Sequence, residues 1–342
     1  MLLKALCECS GAPGGEKEVR QYIAAELERI GCPYEIDNLG NVIAHHPGKA
    51  GEQKVLFAAH MDEPALMIYD VTQRGFLRFK AVGTRVIPRQ LSGRAVRVGE
   101  NVMGVVGFAP YHMMRITDEQ KRRSAENQHI DIAAESKERA LERIQLGDYA
   151  VVDSPFVEMG ENCKGRAMDS RLGCCAALEL LREAPDKAFD VVFTTMYEVG
   201  QRGMEVAAYT QQPDLVVSIG AVPATDVPGS LNKEGRVELG QGVCMALTDA
   251  GFAYPRNTVE AWSKAAKEAG IKSRVVQYAP DAAQAGYAAL CRNGALALSL
   301  LIPCRTPAAP AGIMKKRRLE RSGSDAETHR GKVLRRGQSE FA

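Results

Sequence analysis

The sequence lacks any long hydrophobic run. None of its stretches approaches the ~20 consecutive apolar residues of a transmembrane helix. The N-terminal segment carries acidic side chains and has no apolar core followed by a cleavage site, which distinguishes it from a secretory signal. We therefore expect a soluble, cytoplasmic protein without a membrane partner.

Cysteine motifs of zinc sites are also lacking. The nine cysteines are scattered, and no two of them have the spacing of zinc ligands. Their odd number favours a reducing compartment, where most thiols act as small apolar side chains. The cysteines are Cys7, Cys9, Cys32, Cys163, Cys174, Cys175, Cys244, Cys291 and Cys304.

The chain has little net charge, +2 at pH 7, but the charge is unevenly distributed. Residues 305–342 contain ten Lys and Arg against four Asp and Glu, or +6, which leaves −4 for residues 1–304. A mildly acidic body does not favour nucleic acid as a partner. The basic end could bind an acidic surface or nucleic acid, but its composition is more typical of a solvated, poorly ordered segment.

Apolar periodicity predicts two kinds of structure. Val55–Ala59 and Leu215–Ile219 are short continuous apolar runs, typical of buried parallel strands, and Leu172–Arg182 has the spacing of a helix with one buried face. Between these runs, residues 65–153 consist of short alternating segments separated by Gly and Pro, the pattern of a small β-barrel. The sequence thus predicts an α/β fold whose mostly parallel sheet is flanked by helices and interrupted by a barrel.

The same patterns predict the domain boundaries. Residues 1–63 and 154–304 form the α/β domain, 64–153 the inserted β-barrel, and 305–342 a poorly ordered tail. The tail has no apolar face of period 2 or 3.6.

Three segments place ionisable residues at the ends of predicted elements. His60 ends a strand, and Asp62, two residues on, could hold its imidazole in the tautomer that binds a metal; a structural His–Asp pair fits as well. Asp169 precedes a helix, where it could bridge two cations or act as an N-cap. Glu198 follows a buried strand, where loops of α/β folds build sites.

Together and in this order, these segments resemble a known family. AHMDE (59–63), GRAMDSRLG (165–173) and YEVGQRG (197–203) are similar to motifs of the TET, deblocking and glutamyl aminopeptidases. The similarity is colinear from about Leu3 to Arg305 and includes barrel segments such as LSGRAVRV (91–98).

The resemblance implies an aminopeptidase that uses two divalent metal ions, zinc or cobalt, to remove N-terminal residues from short peptides. His60, Asp169 and a further Asp would bind one ion. Asp169, Glu198 and a late His would bind the other, and a Glu directly before Glu198 would be the general base. The barrel would be a PDZ-like dimerisation domain, and the family assembles into hollow tetrahedral dodecamers.

This sequence departs from the family pattern at functional positions. Tyr197 stands in place of the general base, Gly220 in place of the second-ion Asp, and Ala308 in place of the late His. Gln284 replaces a further Asp. The remaining ligands, with Asp169 shared, would hold at most one ion, because such sites use about three protein ligands per ion. Neighbours that could substitute are Asp226, His112, Asp281 and Glu205, but no spacing favours them.

Three functions remain open at this point. The chain could be an aminopeptidase with an impaired or rearranged site, a non-catalytic subunit of a homo-oligomer or of a hetero-oligomer with active homologues, or a peptide-binding protein. A frameshift near Arg305 could explain the unusual end and Ala308. It could not explain Tyr197 or Gly220, which lie inside well-matched sequence.

Overall fold

The computed structural model describes residues 1–48, 53–83, 86–108, 127–183, 186–230, 237–279 and 284–316. Their helices are α1 (Leu2–Glu8), α2 (Lys17–Ile30), α3 (Pro88–Leu91), α4 (Lys137–Leu141), α5 (Met168–Glu183), α6 (Arg202–Gln211), α7 (Arg256–Glu268) and α8 (Gln284–Ala289). Their strands are β1 (Tyr34–Ile36), β2 (Val42–His46), β3 (Val55–His60), β4 (Ala65–Val71), β5 (Leu77–Val82), β6 (Ala95–Val98), β7 (Val102–Phe108), β8 (Gln128–Asp131), β9 (Tyr149–Val152), β10 (Val157–Met159), β11 (Asn162–Gly165), β12 (Phe189–Thr194), β13 (Leu215–Pro223), β14 (Val243–Thr248), β15 (Ser273–Tyr278), β16 (Leu296–Cys304) and β17 (Gly312–Lys315). None of these helices is both long and apolar enough to span a bilayer.

One large sheet of eight strands has the order β1-β2-β12-β3-β13-β16-β14-β15. Four of its seven strand pairs are parallel, including the central β12–β3, β3–β13 and β13–β16 pairs. Every residue of β3 is buried, which explains why its sequence is a continuous apolar run. Helix α5 packs on β3 and β13, and α7 packs on β14, β15 and β16. The predicted α/β fold with a mostly parallel sheet is confirmed.

Strands β4 to β9 close into a barrel in the order β4-β5-β8-β7-β6-β9. The pairs between these strands are all antiparallel, and alternate side chains fill the interior, among them Ile68, Leu77, Val96 and Ile130, each 0% exposed. This alternation is what the sequence pattern of residues 65–153 predicted. The barrel itself is therefore confirmed, whereas the domain boundaries at residues 63/64 and 153/154 and the dimerisation role stay predictions.

A small third sheet corrects the prediction for the C-terminal segment. Strand β17 pairs with β11, which pairs with β10, and Arg305 pairs with Ile313 across the turn between β16 and β17. Met314 packs against a buried cluster that contains Cys163, Met168 and Cys304. The predicted poorly ordered tail from residue 305 is thus wrong for residues 305–316, and residues 317–342 lie outside the described part of the chain.

Candidate active site

The imidazole of His60 sits at the C-terminal end of β3 and is 5% exposed. Its Nδ1 lies 3.1 Å from the main-chain carbonyl oxygen of Asp62. Because a carbonyl oxygen can only accept, this bond requires a proton on Nδ1, and in the neutral ring the lone pair then lies on Nε2. The Cys174 thiol donates to the His60 carbonyl and ties the strand end to α5.

The Asp62 carboxylate contacts a different part of the site from the one predicted. Its Oδ1 lies 3.7 Å from Nδ1 of His60, beyond hydrogen-bond distance. Instead, Oδ1 accepts from the main-chain N–H of Tyr197 at 2.9 Å and Oδ2 from that of Glu198 at 2.8 Å. Asp62 therefore orients His60 through its main chain, and its carboxylate fixes the loop after β12.

Tyr197 stands at the position of the implied general base. Its ring stacks on that of His60 with centroids 4.0 Å apart and planes at 22°. The loop that carries it begins at Met196, which has a positive φ of 52°, an unfavourable conformation for a residue with a side chain. A hydrogen bond from the N–H of Met196 to the Glu16 carboxylate stabilises this conformation.

Glu16 is a site residue that the sequence analysis did not identify. Its carboxylate is 2% exposed and accepts from the N–H groups of Gly14 and Met196. Burial raises the pKa of Glu16, and the nearby Asp62 carboxylate acts in the same direction. Nothing in the sequence around Glu16 indicates that its carboxylate binds a loop 180 residues later in the chain.

Asp169 lies in the first turn of α5 and is 4% exposed. Two residues on, the guanidinium of Arg171 is fully buried and donates to Glu63 at 2.9 Å and to three main-chain carbonyl groups. The Nε of Arg166 lies 3.2 Å from the other oxygen of Glu63. Glu63, Arg166 and Arg171 form a buried ion cluster that the sequence analysis also missed. The only indication of it in the sequence was Arg171, a charged residue on an otherwise apolar face of α5.

An open cleft lies where the barrel meets the large sheet and its helices. Asp169 and Ala308 both line it, together with Glu63 and Pro64. Glu198 reaches the same region, since a side chain added at Gly83 would meet Glu198 Oε2 and Pro64 Cα, each at 3.2 Å. Asp62 connects this group to His60 and Tyr197 through the contacts described above.

Gly220 lies on β13, paired with Leu301 of β16. The preceding residue, Ile219, contacts α5, because its carbonyl oxygen is the nearest atom to a side chain added at Gly173. A Cβ at Gly220 would meet only Leu301 Cδ2, at 3.9 Å. The position therefore has room for a side chain.

Of the four neighbours considered as substitute ligands, Asp226 and Glu205 belong to the described residues, and neither lines the cleft. Asp226 forms two hydrogen bonds with Arg305, at 2.8 and 2.7 Å, and these bonds hold its pKa below the ordinary value. Glu205 lies on α6 beside Arg202. Gln284 donates to Thr194. His112 and Asp281 lie outside the described residues.

The retained ligand residues do not form a three-ligand centre as they stand. Among the described residues, no three His, Cys, Asp or Glu side chains are grouped so that they could hold one metal ion. Gly220 has no side chain, and Ala308 offers no donor atom. The residues present therefore do not fit the pair of divalent ions that the resemblance implies. The individual roles assigned to His60, Asp169 and Glu198 stay predictions.

Comparison with known proteins gives the family. The model of the M42 glutamyl aminopeptidase family matches residues 40–324, and so extends beyond Arg305, where the sequence analysis placed the end of the similarity. A glutamyl aminopeptidase of Lactococcus lactis is 30% identical over 304 residues, which cover 85% of this chain and 84% of that protein.

Solved structures agree with this result. A TET aminopeptidase from a marine sediment archaeon of the Thaumarchaeota superposes with a TM-score of 0.86 at 26% identity, covering 92% of this chain and 90% of that one. The TET1 peptidase of Pyrococcus horikoshii, which can assemble into a tetrahedron or a large octahedral shell, gives a TM-score of 0.80 at 28% identity, with coverage of 92% and 93%. The fold, the ordered motifs and the family match together show that this chain belongs to the M42 glutamyl aminopeptidase family.

Proposed function

We propose that this chain is an M42-family aminopeptidase homologue whose peptide hydrolysis is severely impaired or lost. The proposal rests on one observation: acidic side chains are present in the cleft region, but the general base and two of the metal ligands that the family resemblance implies are absent. Ala308 lines the same cleft as Asp169, and Tyr197, at the position that the resemblance gives to the general base, is stacked on His60. A phenol with an ordinary pKa of about 10 is a poor base near neutral pH.

The expected loss can be estimated from two effects. A positioned general base contributes roughly 100- to 10,000-fold to a rate. A co-catalytic centre lowers the pKa of water and polarises the scissile carbonyl only when each ion is held by about three protein ligands. Because two ligand positions, Gly220 and Ala308, carry no donor side chain, we expect at most one weakly held ion per chain.

The test is zinc or cobalt stoichiometry combined with hydrolysis of a panel of aminoacyl anilides. The Lactococcus glutamyl aminopeptidase, assayed in parallel, is the positive control. We expect at most one ion per chain at micromolar free zinc and no turnover above the blank. Two tightly bound ions with turnover near the ~10 per second of a typical enzyme would refute the proposal.

A second role is favoured by the barrel surface. Met103 and Val105 of β7 are each 48% exposed, although both are apolar. Exposed neighbouring apolar side chains are typical of protein interfaces, and the Pyrococcus TET1 peptidase assembles into closed shells. We propose that this chain also forms a homo-oligomer, or joins an active homologue as a non-catalytic subunit.

Sedimentation of the chain alone and after co-expression with an active homologue would test this second role. A Met103→Glu, Val105→Lys double variant is the matched control, because it keeps net charge while removing apolar surface. Monomers under both conditions would refute the role.

A further inference from the structure

The loop between β12 and α6, residues 195–201, has an unfavourable backbone conformation near both ends. Met196 and Gln201 have positive φ angles of 52° and 60°, in the left-handed region that disfavours residues with a side chain. Between them, Tyr197 stacks its ring on that of His60. Since such a conformation persists only where the surroundings impose it, the position of Tyr197 depends on the contacts that hold this loop.

Two buried carboxylates supply these contacts. Asp62 accepts from the main-chain N–H groups of Tyr197 and Glu198, and Glu16 accepts from that of Met196 at 3.0 Å. Asp62 is 0% exposed and Glu16 2%. Two acids in one desolvated region repel each other when both are ionised, so the charge on one bears on the other.

Glu16 can hold the loop with or without a proton. Its two amide donors, the N–H groups of Gly14 at 2.9 Å and of Met196 at 3.0 Å, contact the same oxygen, Oε1. A proton on the other oxygen, Oε2, leaves both bonds in place, because a protonated carboxyl group keeps an acceptor oxygen. The neutral form therefore retains the bonds and loses the charge that burial makes costly.

The start of α2, which follows Glu16 directly, is fixed on both sides. The main-chain oxygen of Glu16 accepts the first helical bond, from Arg20 at 2.9 Å. Glu18 accepts from Arg97 of the barrel at 3.0 Å and from the N–H of Ser10. If the Glu16 carboxylate is to gain solvent, the strained loop has to move rather than the helix.

Charged and titratable groups face Glu16 from three elements. Asp62 follows β3, and the phenol of Tyr149 lies on β9 of the barrel. Lys17 and Glu18 follow it on α2, and both are exposed. Burial raises the pKa of Glu16, and the Asp62 carboxylate acts in the same direction.

The direction of the pH effect follows from this balance. The hydrogen bonds from Gly14 and Met196 oppose the rise in the pKa of Glu16, but burial outweighs them. With the loop in place, Glu16 therefore binds its proton more tightly than a solvated carboxylate does. By linkage, a fall in pH favours the held loop, and a rise in pH favours its release.

We propose that Glu16 is a pH-dependent latch on the loop that carries Tyr197: uncharged, it holds the loop in place, and ionised, it loosens it. The change sets in above about pH 4.3, the ordinary range of a glutamate. The latch determines how firmly Tyr197 stays stacked on His60. It operates whether or not the chain hydrolyses peptides, so its failure would leave the proposed function untouched.

The experiment is amide hydrogen exchange of the full chain between about pH 5 and pH 8, with mass spectrometry of the fragment that spans the loop. After correction for the intrinsic pH dependence of exchange, protection of the loop should fall several-fold as the pH rises. In Glu16→Gln, the side-chain oxygen can accept both bonds and no charge can form. This variant should keep the high protection of the acidic parent across the whole range.

The direction of the Glu16→Gln effect separates the latch from a purely structural role. If Glu16 served only as a charged acceptor, the neutral side chain would bind the loop less strongly, and protection would fall. Glu260→Gln removes the same charge from the exposed face of α7 and is the matched control. It should change neither the protection of the loop nor its pH dependence.

Three results would overturn the inference: protection in the parent that does not fall as the pH rises, lower protection in Glu16→Gln, or a pH dependence that persists in Glu16→Gln. The third result would assign the effect to another group, such as His60. Thermal unfolding of Glu16→Gln shows whether the variant is folded. If it is not, the pH profile of the parent alone supports or refutes the latch.

Discussion

Restoring the missing side chains should create a zinc-dependent enzyme only when all three are restored together. The change is Tyr197→Glu, Gly220→Asp and Ala308→His in one chain. The structure has room for it: a Cβ at Gly220 meets nothing closer than 3.9 Å, and Ala308 is half-buried at the edge of the cleft. Tyr197→Glu alone should not restore activity, because a base needs an ordered metal-bound water to deprotonate.

The stability of the metal-free triple variant should fall. Replacing the Tyr197 ring removes its stacking on His60, and Gly220→Asp adds a charged side chain at a half-buried position of β13. The lost aromatic contact and the partly buried charge together suggest a cost of about 2–4 kcal/mol. Bound zinc should reverse this loss. An ion present at 100 times its dissociation constant stabilises the folded state by about 2.7 kcal/mol.

The measurement is thermal unfolding of the parent and triple variant with and without zinc, followed by anilide hydrolysis. Zinc should raise the midpoint of the triple variant by roughly 5 °C, given the usual relation between free energy and midpoint for chains of this size, and leave the parent almost unchanged. The control is the Gly220→Asp, Ala308→His double variant, which has the ligands without the base. The triple variant should exceed its rate about 100-fold or more.

Two outcomes would contradict this reasoning. If the triple variant showed no zinc-dependent rise in its midpoint, residues 220 and 308 would not share a site with His60 and Asp169. If the parent showed as large a rise as the triple variant, the ligands that it retains would already suffice, and Gly220 and Ala308 would not be defects.

Three further predictions concern the stability of the fold. Arg171→Met should lower the free energy of urea unfolding by about 3–5 kcal/mol, because it leaves Glu63 buried with fewer compensating contacts; a loss below about 1 kcal/mol would contradict the role of the ion cluster. Arg305 lowers the pKa of Asp226 in the folded state. The pair therefore stabilises the fold fully above about pH 4, the ordinary pKa of an aspartate in the unfolded chain. This stabilisation is lost as the pH falls through the lower pKa that Asp226 has in the folded state. The midpoint difference between the parent and Asp226→Asn should therefore shrink below about pH 4; a constant difference would contradict it. A chain ending at Lys316 should unfold within a degree or so of the full chain, since the residues beyond it carry too little apolar surface to offset the entropy of ordering them; a drop of many degrees would show that they complete the core.

Much of the fold could be predicted from local pattern. The continuous apolar run Val55–Ala59 indicated a strand buried on both faces, and β3 is buried along its whole length. Strand β17 could not be predicted in this way. Its four residues, Gly312–Lys315, are only partly buried and include a lysine, and the strand exists because β11 offers an edge about 150 residues earlier in the chain. A pattern within one segment contains no information about such a distant partner.

The candidate site could also be predicted only in part from local sequence pattern. His60, Asp169 and Glu198 could be selected as candidates because each lies at or just beyond the end of a recognisable element. The hydrogen bonds from the Tyr197 and Glu198 amides to Asp62 were not, and neither was the support that Glu16 gives to this loop. These contacts join segments more than 130 residues apart, and only the folded sheet brings them together.

The architecture explains how this cleft can differ from the family pattern without loss of fold. The surrounding elements are held together by the Glu63–Arg171 pair and by the Asp62 carboxylate, which binds the loop after β12. The altered positions bear less on the packing: Ala308 lines the cleft, and a Cβ at Gly220 would make only an ordinary contact with Leu301, at 3.9 Å. Removing a metal-ligand side chain there relieves a buried-charge cost when no ion is bound. The side chains that stabilise the fold therefore differ from the altered positions, and a variant that disrupts Arg171 should unfold the protein well before any change at residue 308 does.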